Sequence, residues 1–259
     1  MLYRKTGPDI ISADKITQAF WYPGAQHGGP LAALVVYLVE QVANPVTMQI
    51  VRLYMTLIRP VSVGDMRWEL SVIKQGRMIQ EIQIIFTQNH KPVLRATTLS
   101  YRVADVKVDC DAMSLPAQLA DKGGDSITWP EQPEIHFAKD AVNISVVKGA
   151  PLRHHGEGAM WIRPNFDYLI DQEKLSPLGC VAMVSDFGNA LSSLISVEEG
   201  RFINADLSME ALRAPVDDHL LLQAQTMAYD KGFGVVKGKI YDSEGLVALC
   251  HQTILLERN

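Results

Sequence analysis

One internal repeat limits what this chain can fold into. The segment Leu53-Tyr54-Met55-Thr56-Leu57-Ile58-Arg59-Pro60 is matched by Leu207-Ser208-Met209-Glu210-Ala211-Leu212-Arg213-Ala214-Pro215. The leucine, the methionine and the arginine agree at one constant offset of 154 residues, and a proline follows in each segment. A repeat of this size indicates two related structural units in one chain, each with its own core.

The segments that follow the repeat also correspond between the two halves. In each half three stretches with apolar residues at alternate positions are separated by short turn-forming sequences, a pattern that predicts antiparallel strands. The predicted strands are Met66–Gln75, Met78–Gln88 and Val93–Val103 in the first half, and His219–Asp230, Val235–Asp242 and Leu246–Glu257 in the second. Together with the matched segment, each half therefore has a four-stranded meander.

Each meander is preceded by a helical stretch that is apolar on nearly all sides, as expected of a buried helix. The predicted helices are Pro30–Glu40 and about Pro177–Ile195, and a strand is predicted before each, at Lys15–Tyr22 and Ala159–Phe166. A strand, a buried helix and four antiparallel strands wrapped around it describe a hot-dog fold. The sequence thus predicts an α+β double hot-dog; the alternative is two unrelated α+β domains that share only generic hairpins.

The predicted domains are residues 1–104 and 151–259, joined by a surface linker at 105–150 in which no long periodic element is evident. The formal net charge is −5 and no run of Lys and Arg occurs, which argues against a nucleic-acid partner. Cys110, Cys180 and Cys250 form no disulfide or metal pattern, as in a reducing compartment. The most apolar stretch, Leu31–Val39, is too short to span a bilayer. With no apolar signal core at the N-terminus, we expect a cytoplasmic protein.

Several motifs taken in order resemble the acyl-CoA thioesterase II (TesB-like) family of double hot-dog enzymes. In the first half they are the sequence His27-Gly28-Gly29-Pro30-Leu31-Ala32-Ala33 and the Leu57–Pro60 segment. In the second half they are Ser185-Asp186-Phe187-Gly188-Asn189, Phe202-Ile203-Asn204-Ala205-Asp206-Leu207 and His251-Gln252-Thr253. The resemblance implies hydrolysis of an acyl-CoA to a carboxylic acid and free CoA, without a cofactor or metal.

The resemblance also implies a site that holds the hydrolytic water. In this family an aspartate of the second helix, a hydroxyl residue of the next strand and a glutamine of the last strand bind that water. Asp186 matches the aspartate and Gln252 the glutamine, whereas the hydroxyl position is occupied by Asn204. Gln252 corresponds to Thr98 at the offset of the repeat, which suggests one working water site per chain.

These residue types suit thioester hydrolysis. The thiol of CoA has a pKa of roughly 8–9, like that of a free cysteine, so the leaving group needs little protonation. An oriented water, a base and stabilisation of the oxyanion are what remain to be supplied. Asp186 is a candidate base, although an aspartate in a turn or an ion pair is the simpler interpretation. Gln252 is predicted to be buried and must find partners there. Asn204 and Asp206 are expected on one face of a strand.

His27, Gly28 and Gly29 precede the first helix, where open backbone N–H groups and the helix dipole suit binding of the thioester carbonyl. A tight turn without a ligand is the alternative. Arg59 and Arg213 are expected to pair with acids of the neighbouring copy, and Arg59 is a weaker candidate for contacts with CoA phosphates. His154 and His155 have no further ligand at metal spacing and are expected in a solvated loop.

Two other functions fit the same fold. One is an enoyl-CoA hydratase, although the Gly-Asp-x-Asn-Pro-x-His type signature of such enzymes does not occur in the sequence. The other is a non-catalytic module that binds acyl-CoA or lipid, suggested by Asn204. Because hot-dog sheets have exposed edges that pair or stack, we also expect self-association, most simply as a homodimer.

Overall fold

The computed structural model describes residues 1–106, 113–129, 131, 133–153 and 156–258. Its first half contains one long helix, α1 (Gly28–Glu40), of which every residue except Glu40 is buried. Six strands surround this helix: β1 (Tyr3–Gly7), β2 (Ile10–Ala13), β3 (Met48–Leu57), β4 (Gly64–Gln75), β5 (Ile79–Gln88) and β6 (Lys91–Arg102). They are arranged in the order β1-β2-β4-β5-β6-β3, with antiparallel pairing throughout.

The second half repeats this arrangement around a pair of shorter helices. Its elements are α2 (Phe137–Asp140), β7 (Val142–Lys148), β8 (Glu157–Pro164), α3 (Pro177–Ser185), α4 (Gly188–Leu191), β9 (Gly200–Asn204), β10 (Asp206–Ala211), β11 (Leu220–Tyr229), β12 (Phe233–Asp242) and β13 (Gly245–Arg258). The strand order is β10-β13-β12-β11-β8-β7, and β9 also pairs with β13. Each half is thus a hot-dog unit, as the sequence predicts.

The two units are joined into one sheet by antiparallel pairing between β3 and β10, the strands of the matched segments. The pairing register within each unit follows the same offset. Tyr54 lies opposite Thr97 in the first unit, and Ser208 lies opposite His251 in the second. Helices α1 and α3 pack against each other on the inner side of the sheet. The predicted double hot-dog and its repeat are therefore confirmed in three dimensions.

Three predicted elements differ from the structure. The strand expected at Lys15–Tyr22 is wrong, because Asp14 accepts a hydrogen bond from the Ile16 amide and starts a 3₁₀ turn at Lys15–Thr17. The helix predicted at about Pro177–Ile195 is interrupted after Ser185. The predicted linker contains α2 and β7, and β7 pairs with β8, so the second sheet begins before residue 151. The domain boundary at that residue stays a prediction.

Two of the cysteines are core residues, and Cys110 lies outside the described residues. Cys180 and Cys250 are both buried, which raises the pKa of each thiol, that of Cys250 to about 12. Neither is therefore suited to act as a thiolate nucleophile near neutral pH. Across the described part of the chain, no helix is long and apolar enough to cross a membrane.

His136 lies in a buried aromatic cluster and should make stability depend on pH. Its ring contacts Phe20 and Trp129, and neither ring nitrogen has a hydrogen-bond partner within the described residues. Burial lowers the pKa of His136 to about 4. In the unfolded chain His136 binds a proton near pH 6.5, whereas in the folded chain it does so only near pH 4. The free energy of unfolding is therefore unaffected by His136 above pH 6.5 and decreases as the pH falls from 6.5 towards 4.

Because of this histidine, we expect the free energy of unfolding to be lower at pH 4.5 than at pH 7 by on the order of 2 kcal/mol. Urea unfolding of His136→Phe at the two pH values should show a correspondingly smaller loss than the unmodified chain. His90→Asn, at a turn residue with a positive φ, is the control. It should lose as much unfolding free energy between the two pH values as the unmodified chain. Equal losses for His136→Phe and the unmodified chain would contradict the prediction.

Candidate active site

Asp186 occupies the break between α3 and α4, where it is the residue that ends α3. The break has two local causes. The hydroxyl of Ser185 donates to the carbonyl of Ala182 at 2.6 Å, which competes with the helical hydrogen bond and bends a helix. Gly188 then packs so closely that an added Cβ would lie 2.9 Å from Val236 and 3.1 Å from Gln252. The sequence therefore turns the Asp186 carboxylate towards the interior, where it is 2% exposed.

Gln252, in the middle of β13, uses both ends of its amide to hold this helix break. Its Nε2 donates to Oδ1 of Asp186 at 3.0 Å and also to the backbone carbonyl of Asp186 at 3.3 Å. Its Oε1 accepts from the backbone N–H of Asn189 at 3.1 Å. The amide is only 1% exposed and all these partners are protein groups. Gln252 therefore orients the Asp186 carboxylate from within the protein interior.

Asn204, at the end of β9, reaches the same carboxylate oxygen from the other side. Its Nδ2 donates to Oδ1 of Asp186 at 3.0 Å, and its Oδ1 accepts from Nδ2 of Asn189 at 2.9 Å. Asn189 thereby connects the two amides through its backbone and its side chain. Sequence reasoning gave Asn189 no role, although it belongs to the motif that contains Asp186.

The first unit contributes His27, which caps the N-terminus of α1. Its Nδ1 lies 3.0 Å from the Gly29 amide and 2.9 Å from Oδ2 of Asp186. One ring nitrogen cannot accept the amide hydrogen and donate to the carboxylate at the same time, so these contacts belong to different protonation states. The Nε2 atom is buried and has no partner among the described residues. The ring packs against Trp21, Phe137 and Phe187.

The glycines that follow His27 permit the two units to approach each other. A Cβ on Gly28 would lie 2.7 Å from Oδ2 of Asp186, and a Cβ on Gly29 would lie 2.7 Å from the carbonyl of Met183. Any larger residue would therefore push α1 away from α3. Because His27 caps the Gly29 amide, the expectation that both glycine amides are open is wrong for Gly29.

An open cavity of about 350 Å³ lies above this carboxylate, between the two units. Its volume is in the range of small-molecule sites. Most of its wall is apolar, and Asp186, Asn204, His27 and Gly28 supply polar groups at its base. The lining residues are Ala19, Trp21, Tyr22, Ala25, Gln26, His27, Gly28, Leu31, Leu57, Ile58, Arg59, Pro60, Val61, Asp186, Phe202, Ile203 and Asn204. Gln252 is not among them.

The structure thus brings together Asp186, Asn204 and Gln252, with His27 and Gly28 opposite. It does not bring Asp206 to the site. The chain breaks its strand at Ala205, which reverses the alternation, and Asp206 accepts a hydrogen bond from the Thr253 amide instead. His154 and His155 lie outside the described residues.

The two matched arginines do not pair with acids of the other unit. Arg213 binds Asp242 of its own unit. Arg59 donates to the carbonyl of Pro92 and lies at the cavity wall. The expected pairing between copies is therefore wrong, because both guanidinium groups find acceptors at strand ends of their own units, Asp242 in β12 and Pro92 in β6.

Comparison with known proteins adds a family to this geometry. Residues 17–100 match the model of the acyl-CoA thioesterase N-terminal domain, and residues 109–256 match that of the acyl-CoA thioesterase C-terminal domain. No match was found among curated protein sequences.

Solved structures of similar fold cover nearly the whole chain. Acyl-CoA thioesterase II TesB2 from Mycobacterium marinum superposes with a TM-score of 0.70 at 15% identity, over 99% of this chain and 95% of that one. A hot-dog protein from Alicyclobacillus acidocaldarius gives a TM-score of 0.75 at 14% identity, over 98% and 96% of the two chains. At these identities the likeness is one of fold.

Proposed function

The chain belongs to the family of acyl-CoA thioesterases, and from that premise we propose that it hydrolyses acyl-CoA with a water activated by Asp186. The observation that carries this proposal is the buried carboxylate at the base of an apolar cavity, fixed by two amides and facing a helix N-terminus. An apolar cavity suits an acyl chain, and a fixed carboxylate suits a base.

In the proposed reaction a water at the cavity base gives a proton to Asp186 while its oxygen attacks the thioester carbonyl. The resulting tetrahedral intermediate collapses by breaking the C–S bond, and CoA leaves as a thiolate. The proton held by Asp186 then passes to the thiolate or to solvent. The products are a carboxylic acid and free CoA, and no covalent intermediate with the protein is formed.

The two amides have different roles in this proposal. Asn204 uses one N–H on Asp186, and because it lines the cavity its second N–H is available to the water. It thereby takes the place of the hydroxyl residue of the family. Gln252 is a positioning residue, since its amide is occupied by Asp186 and Asn189.

Stabilisation of the oxyanion is assigned to the start of α1. The Gly28 amide lies in the first helical turn at the cavity wall, where backbone N–H groups and the helix dipole favour negative charge. A glycine at this position lets the substrate carbonyl approach the backbone closely. His27 contributes by setting the orientation of Asp186 across the interface between the units.

The proposed activity is tested by following thiol release from a series of acyl-CoA esters with Ellman's reagent. We expect release to depend on chain length, because the cavity bounds the acyl group. Binding of these esters without any thiol release would contradict catalysis and support the non-catalytic alternative. Loss of the conjugated chromophore of crotonyl-CoA without thiol release would instead indicate a hydratase.

Gln252→Leu should lower kcat by roughly tenfold or more while leaving KM nearly unchanged. The variant removes the buried donors that orient Asp186, a loss of about 1–3 kcal/mol, but Gln252 does not touch the cavity. Gln225→Leu, an exposed glutamine on β11, is the matched control. A rise in KM with unchanged kcat would show that Gln252 serves binding instead.

A further inference from the structure

A second cavity, of about 380 Å³, lies at the opposite end of α1 from Asp186. It is bounded on one side by apolar residues of the first unit and by Leu178 of α3. Its volume is again in the range of small-molecule sites. Glu40, the last residue of α1, and Gln80 of β5 supply polar groups to its wall.

The surroundings of this cavity mirror those of the first one. Ser176 caps α3 by accepting from the Gly179 amide at 3.0 Å, as His27 caps α1 by accepting from the Gly29 amide. Ser176 also lies close to Glu40 at the end of α1, as His27 contacts Asp186 at the end of α3. On the side of the first unit the second cavity is lined at positions matched to the active site, since Met48 and Ile50 line it as Phe202 and Asn204 line the first cavity.

The groups that orient the carboxylate do not recur here. At the offset of the repeat, Gln252 corresponds to Thr98 and Asn204 corresponds to Ile50. The strand pairing supports this correspondence, since Ile50 lies opposite Ser100 and Asn204 lies opposite Ile254. Without the two amides, Glu40 is not fixed as Asp186 is, and the cavity has no equivalent of the water-activating centre.

Gln80 indicates instead that the cavity receives a ligand. Its side chain is 3% exposed and lines the cavity, and its Nε2 has no hydrogen-bond partner among the described residues. A buried donor left unpaired costs about 1–3 kcal/mol, so a ligand oxygen that accepted this hydrogen bond would recover that loss. Ser100, also 3% exposed, adds a hydroxyl on the same wall.

The charge of the groups that line the cavity determines which polar group a ligand can carry. Although Glu40 is exposed on one side, partial desolvation raises its pKa, and the nearby Ser176 acts in the opposite direction. Above that pKa the Glu40 carboxylate repels a carboxylate ligand, whereas Nε2 of the neutral Gln80 amide can donate to any carbonyl oxygen. The wall combines apolar residues with polar ones, Asn44 and Thr47 among them. The apolar part, the neutral donor of Gln80 and the anionic Glu40 together favour an acyl chain with an uncharged carbonyl.

We propose that this second cavity binds a medium-length acyl chain through an uncharged carbonyl held by Gln80, and that it does not hydrolyse its ligand. The ligand class rests on the proposed function, through the symmetry between the two cavities. The existence of the site rests on Gln80 and the cavity themselves.

Calorimetric titration with decanamide tests this proposal. We expect two binding equivalents per chain in the unmodified protein, one in Gln80→Leu and two in Gln83→Leu, which alters the opposite face of the same strand. The kcat/KM of thioester hydrolysis should change less than about twofold in Gln80→Leu. The same stoichiometry in Gln80→Leu and the unmodified protein would overturn the proposal.

A second variant and a second ligand distinguish failure of the second site from failure of the proposed function. Ser100→Val, on the same wall, should also lose one equivalent if Gln80→Leu fails to fold. At pH 8 decanoate should bind the second cavity at least about fivefold more weakly than decanamide, and equal binding would contradict the uncharged head. If no acyl-CoA releases thiol but decanamide binding still depends on Gln80, the proposed function fails and the second site stands.

Discussion

Asp186→Asn is expected to reduce kcat/KM for acyl-CoA hydrolysis by roughly 10²–10⁴-fold, the contribution of a positioned general base. The variant preserves the shape of the side chain but removes the proton acceptor. Asparagine keeps a carbonyl Oδ1 that can accept from both Asn204 and Gln252, whose donors converge on Oδ1 of Asp186. The loss should therefore fall mainly on kcat.

Asp206→Asn is the matched control for this variant. Asp206 lies two residues beyond Asn204, but its carboxylate accepts from the backbone amide of Thr253 and does not line the cavity. It should retain nearly full activity. Thermal unfolding of both variants separates a chemical defect from a folding defect. If folded Asp186→Asn hydrolysed acyl-CoA at the rate of the unmodified chain, the proposed base would be wrong.

Arg213→Ala is expected to lower the free energy of unfolding by about 3 kcal/mol, because it leaves the buried Asp242 without a partner that is itself 32% exposed, and this is the low end for breaking a buried ion pair. Its guanidinium group donates to both oxygens of Asp242, at 2.7 and 2.6 Å, and Asp242 is 0% exposed. The Val216 and Glu244 amides also donate to Asp242. Without the arginine, a buried carboxylate keeps only these neutral donors.

The sequence itself provides the control, because Arg59 occupies the matched position in the first unit. Arg59→Ala removes an exposed contact with the Pro92 carbonyl and should cost well under 1 kcal/mol. Urea unfolding of both variants measures the difference. Equal losses of unfolding free energy in the two variants would show that the pair of Arg213 with Asp242 stabilises the fold no more than the exposed contact of Arg59.

The same pair gives a second observable. Burial alone would raise the pKa of Asp242, but Arg213 and the two backbone amides outweigh it and lower the pKa. The stabilisation is therefore present above the pKa of the unfolded aspartate and is lost as the pH falls through that of the folded one. The difference in stability between Arg213→Ala and the unmodified chain should narrow in acid.

The sequence predicts most of the strands because antiparallel strands with one buried face follow a strict alternation. In β5 the inward residues Gln80, Ile82, Ile84 and Phe86 are buried in turn. The offset of 154 residues also predicts that Thr98 and Gln252 are equivalent, and the strand registers agree. These features depend on local pattern and on repetition, both of which can be recognised in the sequence alone.

Other features depend on packing that no pattern in the sequence reveals. The helix break at Asp186 requires Gly188 to fit beneath Gln252, which is 64 residues away in the chain. The change of face at Ala205 reverses the alternation between Asn204 and Asp206. The contact of His27 with Asp186 joins residues of different units, so the sequence identifies both residues without indicating that they touch.

That contact has a consequence for how such a molecule could arise. If two identical hot-dog subunits paired through the edge strands that correspond to β3 and β10, each helix start would face the other subunit's helix end, giving two equal centres. Covalent duplication frees one centre to diverge while the other keeps its chemistry. The contrast between the amides around Asp186 and the threonine and isoleucine at the matched positions of the first unit is what such divergence would leave. Separating the two halves would dismantle the surviving centre, because each half holds only part of it.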